Sequence, residues 1–242
     1  VKHANPCGVS AKSNYLESYK SALSCDPMSA FGGIVSCNFQ INRILAIELS
    51  KLFLEVIIAN GFDNNAIKIL KNKKNLRLID GTNYTSEEIL KFISLNQNIL
   101  LQSEDLNIFT KKNFQIVSRR KPTLKQLNDL IFAFNVCRYV KSNAIVLASN
   151  KTTVGIGSGQ PSRLDSCQIA INKMKKFNLK TDNLVAASDA FFPFVDGFEK
   201  LVQSGVSAVV QPSGSIRDKE IINFANETDT VLLFSRTRHF RH

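Results

Sequence analysis

The residues best suited to acid–base chemistry are the histidines, and they occur only near the two ends of the chain. The 242 residues include three: His3 near the start, and His239 and His242 among the last four. Because imidazole ordinarily titrates near neutral pH, a histidine acid or base must come from one of these ends. His3 follows Lys2 and precedes an Asn-Pro turn. Taken alone, this arrangement favours a surface histidine next to a turn, and an acid–base residue beside a cation is the alternative.

A glycine-rich run stands between an apolar segment and a helical pattern. Gly155, Gly157 and Gly159 alternate there, followed by Ser162 as a predicted helix start. The run lacks the G-x-G-x-x-G spacing of a dinucleotide-binding turn, which weakens a nucleotide-phosphate interpretation. Alternating glycines in a strand are more typical of close approach by a ligand or by another backbone.

Aromatic and turn residues cluster in the C-terminal third of the chain. Phe191, Phe192 and Phe194 flank a proline, and they predict either stacking on a heterocycle or a corner of the core. Residues 212–215, Pro-Ser-Gly-Ser, precede a helical pattern. They predict either an anion-binding turn or a plain helix N-cap.

Two polar residues at predicted element ends are ambiguous when taken alone. Asn143 follows a long helical pattern and is most simply a helix C-cap. Arg238 lies four residues before the end of the chain and is most simply a solvated charge.

Composition indicates a globular protein with one large domain or two of ordinary size. Hydrophobic residues make up 44% and charged residues 21% of the chain. No apolar run reaches the roughly 18 residues needed to span a bilayer, and no signal peptide opens the chain. The five cysteines form no Cys-x-x-Cys pair, which favours reduced thiols in a cytoplasmic protein over zinc or disulfides. The first residue, Val1, lies in a strand-like pattern, so we expect a fragment of a longer protein.

The net charge of +11 raises the possibility of a nucleic-acid-binding module. The lysines, however, scatter through polar, Asn-rich connections, and no aromatic-studded basic stripe or zinc finger accompanies them. A basic surface serves anionic small substrates equally well. A nucleic-acid-binding α/β module is therefore the second hypothesis, and an enzyme acting on anionic substrates is the first.

The elements that must position these residues alternate between strand and helix patterns, which predicts an α/β fold. Predicted helices cover 13–24, 41–54, 65–72 and 124–141 (capped by Thr123), with others starting at Ser162 and near Asp196 and Arg217. Predicted strands cover 31–37, 55–60, 76–80, 144–149, 152–159, 184–190, 208–212 and 231–235. An irregular polar stretch follows residue 80, and residues 104–122 are predicted to connect two subdomains.

Eight ordered segments give the chain a specific resemblance to a known family. They are KHANPCGVS, CDPMSAFGGIVS, EVIIANGFD, VKSNAIVLA, GIGSGQPSRLDS, ASDAFFPFVDG, QPSGSIRDKE and RHFRH. Together they resemble the C-terminal transformylase part of the bifunctional purine-biosynthesis family, which couples AICAR transformylase to IMP cyclohydrolase. The resemblance runs from residue 1 to residue 242. It implies that two parts of the family protein are absent here. One is the cyclohydrolase domain, and the other is the first stretch of the transformylase domain, which carries an Arg-Tyr pair of phosphate ligands.

The resemblance also implies a fold: two cytidine-deaminase-like, three-layer subdomains with mixed sheets flanked by helices. Residues 1–115 would form a partial first transformylase subdomain and residues 116–242 the second. The family lacks the deaminase zinc, and this chain has Ser10 where a Pro-Cys-x-x-Cys motif would place the second cysteine. No metal is expected.

The implied activity is transfer of a formyl group from the cosubstrate 10-formyltetrahydrofolate to the 5-amino group of AICAR. By resemblance His3 is the general base, Lys2 a cation near the formyl group, and Asn143 orients the substrate carboxamide and the formyl oxygen. Phe191 and Arg238 match nucleotide-binding positions. Positions matching the folate site are Arg163, Leu164, Asp196, Ser215 and Ile216. The implied assembly is a homodimer in the cytoplasm, without membrane or nucleic-acid partners, and a folded fragment without turnover is a third hypothesis.

Overall fold

The computed structural model describes residues 1–85, 90–177 and 181–242, and it confirms the α/β class. The helices are α1 (Tyr15–Cys25), α2 (Pro27–Ala30), α3 (Arg43–Leu49), α4 (Asn64–Leu70), α5 (Leu124–Cys137), α6 (Arg163–Lys176), α7 (Val195–Gln203) and α8 (Asp218–Glu227). The strands are β1 (Gly33–Cys37), β2 (Leu54–Ala59), β3 (Arg77–Asp80), β4 (Leu90–Leu95), β5 (Asn98–Ser103), β6 (Phe114–Ile116), β7 (Ile145–Ser149), β8 (Thr152–Gly157), β9 (Val185–Ser188), β10 (Ala208–Pro212) and β11 (Val231–Ser235). Of the helices described, none combines the length and the hydropathy needed to cross a membrane.

The larger sheet is mixed and has six strands in the order β6-β11-β10-β9-β7-β8. β9, β10 and β11 are parallel, whereas β6, β7 and β8 run antiparallel to the strands they pair with. Alternate residues of β7 point to opposite faces, so that Val146 packs with α5 and Ile145 packs with α6 and α7. Helices therefore cover both faces of a mixed sheet, as predicted.

A smaller, parallel sheet of β1, β2 and β3 lies in the N-terminal part of the chain. Its core is formed with α1, α3 and α4, and it includes Leu45, Ile57 and Leu70. Side chains such as Ile34 and Ile79 remain exposed. The segment after the first turn reaches the larger sheet, because the Val9 carbonyl accepts a hydrogen bond from the Thr153 amide of β8.

The structure differs from the sequence pattern in four stretches. The helix predicted over 41–54 ends at Leu49, because residue 54 already begins β2. The helix predicted over 124–141 ends at Cys137. Within the predicted connector, β6 joins the six-stranded sheet by pairing with β11, and it spans the predicted boundary at 115/116. The two-subdomain division and its deaminase-like character stay predictions.

The fourth difference is a β-hairpin where an irregular polar stretch was expected. β4 and β5 pair antiparallel around a turn that begins at Asn96, whose φ is +52°. Every residue of both strands is exposed. Because neither face is buried, the segment lacks the one-sided alternation that identifies a strand from sequence. Residues 86–89 of the same stretch lie outside the described residues.

The alternating glycines of β8 permit helix α6 to pack directly on the strand backbone. A Cβ atom on Gly155 would lie 2.2 Å from the Ala170 carbonyl oxygen, and one on Gly157 would lie 1.9 Å from that of Ser166. The alternating glycines predicted close approach by a ligand or by another backbone, and in the structure the backbone of α6 occupies this face of β8. Gly159 is different, since it adopts φ +69° in the loop beyond the strand.

We predict that Gly157→Ala destabilises the fold by about 3 kcal/mol, because a methyl group there overlaps the backbone of α6, which cannot rotate away. The control is Gly81→Ala, where the nearest atom to the added Cβ would be at an ordinary 3.5 Å. Urea unfolding of both variants measures the difference. Equal midpoints for the two variants would show that α6 is not packed on β8 in this way.

Candidate active site at the carboxyl edge of the larger sheet

The polar and aromatic segments identified from sequence meet at one edge of the six-stranded sheet. The parallel strands β9, β10 and β11 all end at this edge. Antiparallel β7 begins at the same edge and antiparallel β8 ends there. Loops at the carboxyl ends of parallel strands commonly form ligand sites, because several connections converge there. The fold therefore gathers the segments 141–144, 158–162, 189–194, 213–217 and 236–238.

A buried charge network lies beneath these loops. Arg163, the first residue of α6, donates through Nη1 to Ser188 Oγ at 2.7 Å and to Asp189 Oδ1 at 2.5 Å. The Arg163 and Asp189 side chains are only 7% and 0% exposed. Through Nη2, Arg163 also donates to Asn143 Oδ1 at 2.6 Å. The predicted folate residue Arg163 is thus committed to internal contacts that position Asn143.

Asn143 is held from both ends of its amide. Its Nδ2 donates to the main-chain oxygens of Gln160 at 2.8 Å and Pro161 at 3.0 Å. The Asn143 main-chain oxygen accepts a hydrogen bond from Ser166 Oγ. The C-cap interpretation is wrong, because α5 ends six residues earlier, at Cys137, and is capped by Arg138. One lone pair of Oδ1 is left for a ligand donor.

The N-terminal turn that carries His3 is tied to the segment before Asn143 through Asn5. Lys2 and Asn5 exchange two main-chain hydrogen bonds, and His3 and Ala4 adopt positive φ at the tip. The Lys2 ammonium donates to the Phe31 carbonyl at 2.8 Å. Asn5 Oδ1 accepts the main-chain N–H of Lys141 at 2.9 Å, which ties the turn to the strand entry that carries Asn143. The His3 side chain is exposed at the tip.

Phe191 and Arg238 form a contact pair at the same edge. The Arg238 guanidinium carbon lies 4.7 Å from the Phe191 ring centroid and 5.9 Å from that of Phe240. A Cβ on Gly214 would approach Arg238 Nη2 to 3.7 Å, so the Pro-Ser-Gly-Ser turn adjoins the pair. Within the described residues Arg238 makes no ion pair. Its charge is therefore available to an anion.

The three phenylalanines divide between the two predicted roles. Phe192 is buried and packs against Phe198 in the core. Phe194 is 51% exposed and lies under the Arg217 guanidinium at 4.8 Å. Phe191 and Phe194 thus remain accessible at the site while Phe192 forms the core corner.

The remaining predicted folate positions lie in loops and helix starts at this edge. Leu164 is half-buried, and Ile216 is fully exposed. Asp196 accepts the Gly197 amide, and Ser215 Oγ accepts the Arg217 amide at 3.1 Å. Their proposed roles stay predictions.

The C-terminal tail closes one side of the site and contains contacts that sequence reasoning missed. Ser142 Oγ donates to Asp189 Oδ2 at 2.5 Å, and the Ser142 main-chain N–H donates to the Arg241 carbonyl. The His239 main-chain N–H donates to the Asp189 carbonyl at 2.9 Å. Asp189 directly follows the buried strand β9. An acidic residue at such a position could have been predicted from sequence to be a buried, paired carboxylate.

A cavity of about 460 Å³ lies where β6 and β11 meet this edge, and its lining reaches Thr237. Its lining includes Lys112, Gln115, Ser213 and Arg236, together with three phenylalanines. Elsewhere in the described chain, no three His, Cys, Asp or Glu side chains are grouped as metal ligands would be. The site is thus a basic, aromatic and amide-rich edge suited to an anionic, planar ligand.

These features define an α/β protein with a basic ligand site at the carboxyl edge of a mixed sheet. The family model described as AICARFT/IMPCHase bienzyme matches residues 1–173. The whole chain is similar to proteins named "Bifunctional purine biosynthesis protein PurH": 47% identical in Buchnera aphidicola, 45% in Persephonella marina and 44% in Aquifex aeolicus. It covers 47% of each of these relatives, about half their length. The chain belongs to the AICARFT/IMPCHase bienzyme family, whose named relatives act in purine biosynthesis.

We predict that Asp189→Asn destabilises the fold by about 3–5 kcal/mol, because it leaves the buried Arg163 guanidinium without its counter-charge. The control is Glu220→Gln, which removes an exposed ion pair to Arg217 and should change stability by no more than about 1 kcal/mol. Chemical denaturation monitored by circular dichroism measures both. If Asp189→Asn were as stable as the control variant, Asp189 would not be the buried counter-ion.

Proposed function

We propose that this chain catalyses the formyl-transfer half of the bienzyme reaction pair, moving a formyl group from 10-formyltetrahydrofolate to the 5-amino group of AICAR. The observation that carries the proposal is the convergence at one sheet edge of the His3 turn, Asn143 and the Phe191–Arg238 pair. Membership in a family named for two activities supports it.

The reaction needs a base and a stabilised oxyanion. The 5-amino nitrogen attacks the formyl carbon, forming a new C–N bond, and the bond from that carbon to N10 of the folate then breaks. The amine loses a proton, which His3 accepts, and N10 gains a proton as it leaves. Lys2 supplies positive charge near the developing oxyanion. Release of the Lys2 ammonium from the Phe31 carbonyl would bring this charge to the substrate.

Asn143 orients the acceptor. Its Nδ2 is occupied by two carbonyl groups, so it is the free lone pair on Oδ1 that would accept an N–H of the AICAR carboxamide. The Arg163 guanidinium polarises this amide and holds its plane. The carboxamide stands next to the reacting amine on the imidazole ring, so fixing it also fixes the nucleophile.

Phe191 and Arg238 would bind the nucleotide. A flat imidazole ring stacks on Phe191, while Arg238 contacts the phosphate with two N–H groups. The folate would lie along Leu164, Asp196, Ser215 and Ile216. Both substrates are anionic, which accounts for the net charge of +11 without a nucleic-acid partner.

A salt titration separates the enzyme from a nucleic-acid-binding module. AICAR makes few charge contacts, so its affinity should fall gently with salt, whereas binding of a single-stranded oligonucleotide would collapse steeply. Tight, salt-sensitive oligonucleotide binding with no AICAR binding would favour the second hypothesis.

The two activities of the family require separate assays. We propose that the chain carries the transformylase and not the cyclohydrolase, so that formyl transfer is measured from AICAR and ring closure from the formylated product. Cyclohydrolase turnover alone would overturn the assignment. AICAR binding without either turnover would support the third hypothesis, a folded chain without turnover.

We predict that His3→Ala lowers kcat for formyl transfer by at least about 100-fold, because the attacking amine loses its proton acceptor. AICAR affinity should change by less than about threefold, since Arg238 and Phe191 still bind the nucleotide. Stopped-flow absorbance measures kcat, and calorimetric titration measures the affinity for AICAR.

The matched control is His242→Ala, which removes an exposed histidine from the opposite end of the chain. Its kcat should match that of the unaltered protein. Equal turnover of His3→Ala and His242→Ala would remove His3 from the proposed mechanism.

We further propose that the chain forms a homodimer and that the β4–β5 hairpin lies in the interface. Phe92 and Leu101 share one face of the hairpin, and Ile93 and Leu100 share the other. All four side chains are at least half exposed. Isolated two-stranded hairpins are marginally stable, and apolar patches of this kind are typical of protein interfaces. A second copy would cover the face that carries Phe92 and Leu101.

We predict that the double variant Phe92→Lys/Leu101→Lys shifts the protein from dimer to monomer, because it places two charges in the proposed interface. Gln102→Lys on the same hairpin is the control, since it adds one charge at a polar position. Sedimentation velocity at several concentrations measures the assembly. A dimer that tolerates the double variant would exclude the hairpin from the interface.

A further inference from the structure

His239 is a buried histidine that the proposed chemistry does not use. Its side chain is 0% exposed, and Nδ1 lies 2.5 Å from Asp105 Oδ2. Its ring packs edge-on against Phe109, with 4.9 Å between centroids, and at a tilt against Phe134, at 4.4 Å. The ring therefore joins the C-terminal tail to a segment 134 residues away in sequence and to the core under α5.

The protonation state of this ring follows from its surroundings. Burial lowers the pKa of His239, while the hydrogen bond and charge of Asp105 oppose that shift. Arg138 also disfavours the charged ring, and Asp189 favours it. The lowered pKa favours the neutral ring, and because a carboxylate only accepts, Nδ1 carries the proton that is donated to Asp105. Nε2 is buried without a partner among the described residues.

The tail on either side of His239 alternates between the core and the ligand edge. His239 and Arg241 make internal contacts, since the His239 amide donates to the Asp189 carbonyl and the Arg241 amide donates to Ser142 Oγ. Arg238 and Phe240 point outward, where the guanidinium lies over Phe191. Period-two alternation in an extended segment means that the inward residue determines where its neighbours project.

We propose that His239 is a positioning residue: by donating to Asp105 from within the core, it anchors the tail and holds the Arg238 guanidinium over Phe191. The inference rests on the proposed function only where it names AICAR as the ligand. The segment that carries Asp105 is itself fixed, because Asn135 of α5 exchanges hydrogen bonds with both main-chain groups of Phe109. The anchor is therefore a rigid point against which an exposed arginine is oriented.

The first test compares three substitutions. His239→Leu keeps an apolar side chain against the two phenylalanines but loses the donor, whereas the amide of His239→Asn can reproduce the Nδ1 donor. Asp105→Asn removes the acceptor charge. We expect His239→Leu and Asp105→Asn to weaken AICAR binding about tenfold each, the equivalent of about one charge-assisted hydrogen bond, with kcat nearly unchanged. His239→Asn should recover most of the affinity.

The combined His239→Leu/Asp105→Asn variant should bind AICAR no more weakly than His239→Leu alone, because once the donor is lost the change at Asp105 has no contact left to weaken. His242→Leu is the control and should bind as the unaltered protein does. Additive losses, or a loss in kcat instead of affinity, would overturn the positioning role.

The second test does not depend on AICAR. Trypsin cleaves after arginine, so an anchored tail should protect the bond after Arg238, and His239→Leu should speed its cleavage by at least about tenfold relative to His242→Leu.

Because the pKa of His239 is lowered on folding, the unfolded chain binds the proton first as the pH falls below about 6.5, and stability declines with it. The melting temperature of His239→Leu should fall less between about pH 7.5 and about pH 5.5 than that of the unaltered protein.

The two tests separate the two proposals. Faster cleavage and the altered pH response without AICAR binding would retain the anchor and reject AICAR as the ligand. Unchanged cleavage and pH response in His239→Leu would reject the anchor whether or not AICAR binds.

Discussion

The buried carboxylate of Asp189 is the constraint on which the rest of the site depends. Its oxygens accept Arg163 from the start of α6 and Ser142 from the entry to β7, and its main-chain groups bond to Ala144 and His239. A charge at zero exposure is tolerated only when it is paired and hydrogen-bonded, so these segments must arrive together. One acidic residue thus links a helix start, a strand entry and the C-terminal tail.

Such a network contributes more to geometry than to net stability. The attraction between Arg163 and Asp189 is largely offset by the cost of removing both charges from water, so an apolar pair could give a similar free energy of unfolding. An apolar pair would not orient Asn143, whose amide is held by the same guanidinium and by two carbonyl groups. Fixed dipoles of this kind need no rearrangement when a ligand arrives, which is their advantage at a reacting centre.

The sequence predicts those parts of the molecule that local patterns determine. The strands around residues 145, 185, 208 and 231 are uninterrupted apolar runs, and the helices after Thr123 and Ser162 carry caps that the structure contains. The hairpin was missed because its exposed strands show no buried face. The contacts of Arg163 with Asn143 and of His239 with Asp105 join residues 20 and 134 positions apart, and no local period encodes such pairings. The resemblance selected Asn143, Phe191 and Arg238, but it gave no reason for their neighbours.

The site combines preformed and exposed parts, and this has a consequence for the proposed chemistry. Asn143 and Arg163 are locked by buried contacts, whereas the His3 side chain lies exposed on its turn. In water, charges a few ångströms apart interact by only about 1 kcal/mol, so a cation on this turn would stabilise an oxyanion weakly while the turn is open to solvent. Covering the turn with the two substrates, or with a second copy of the chain, would exclude water and strengthen the interactions of Lys2 and His3 with the reacting groups. The proposed formyl transfer would therefore need closure of this edge by something other than the loops described here, which connects the proposed homodimer with the proposed chemistry.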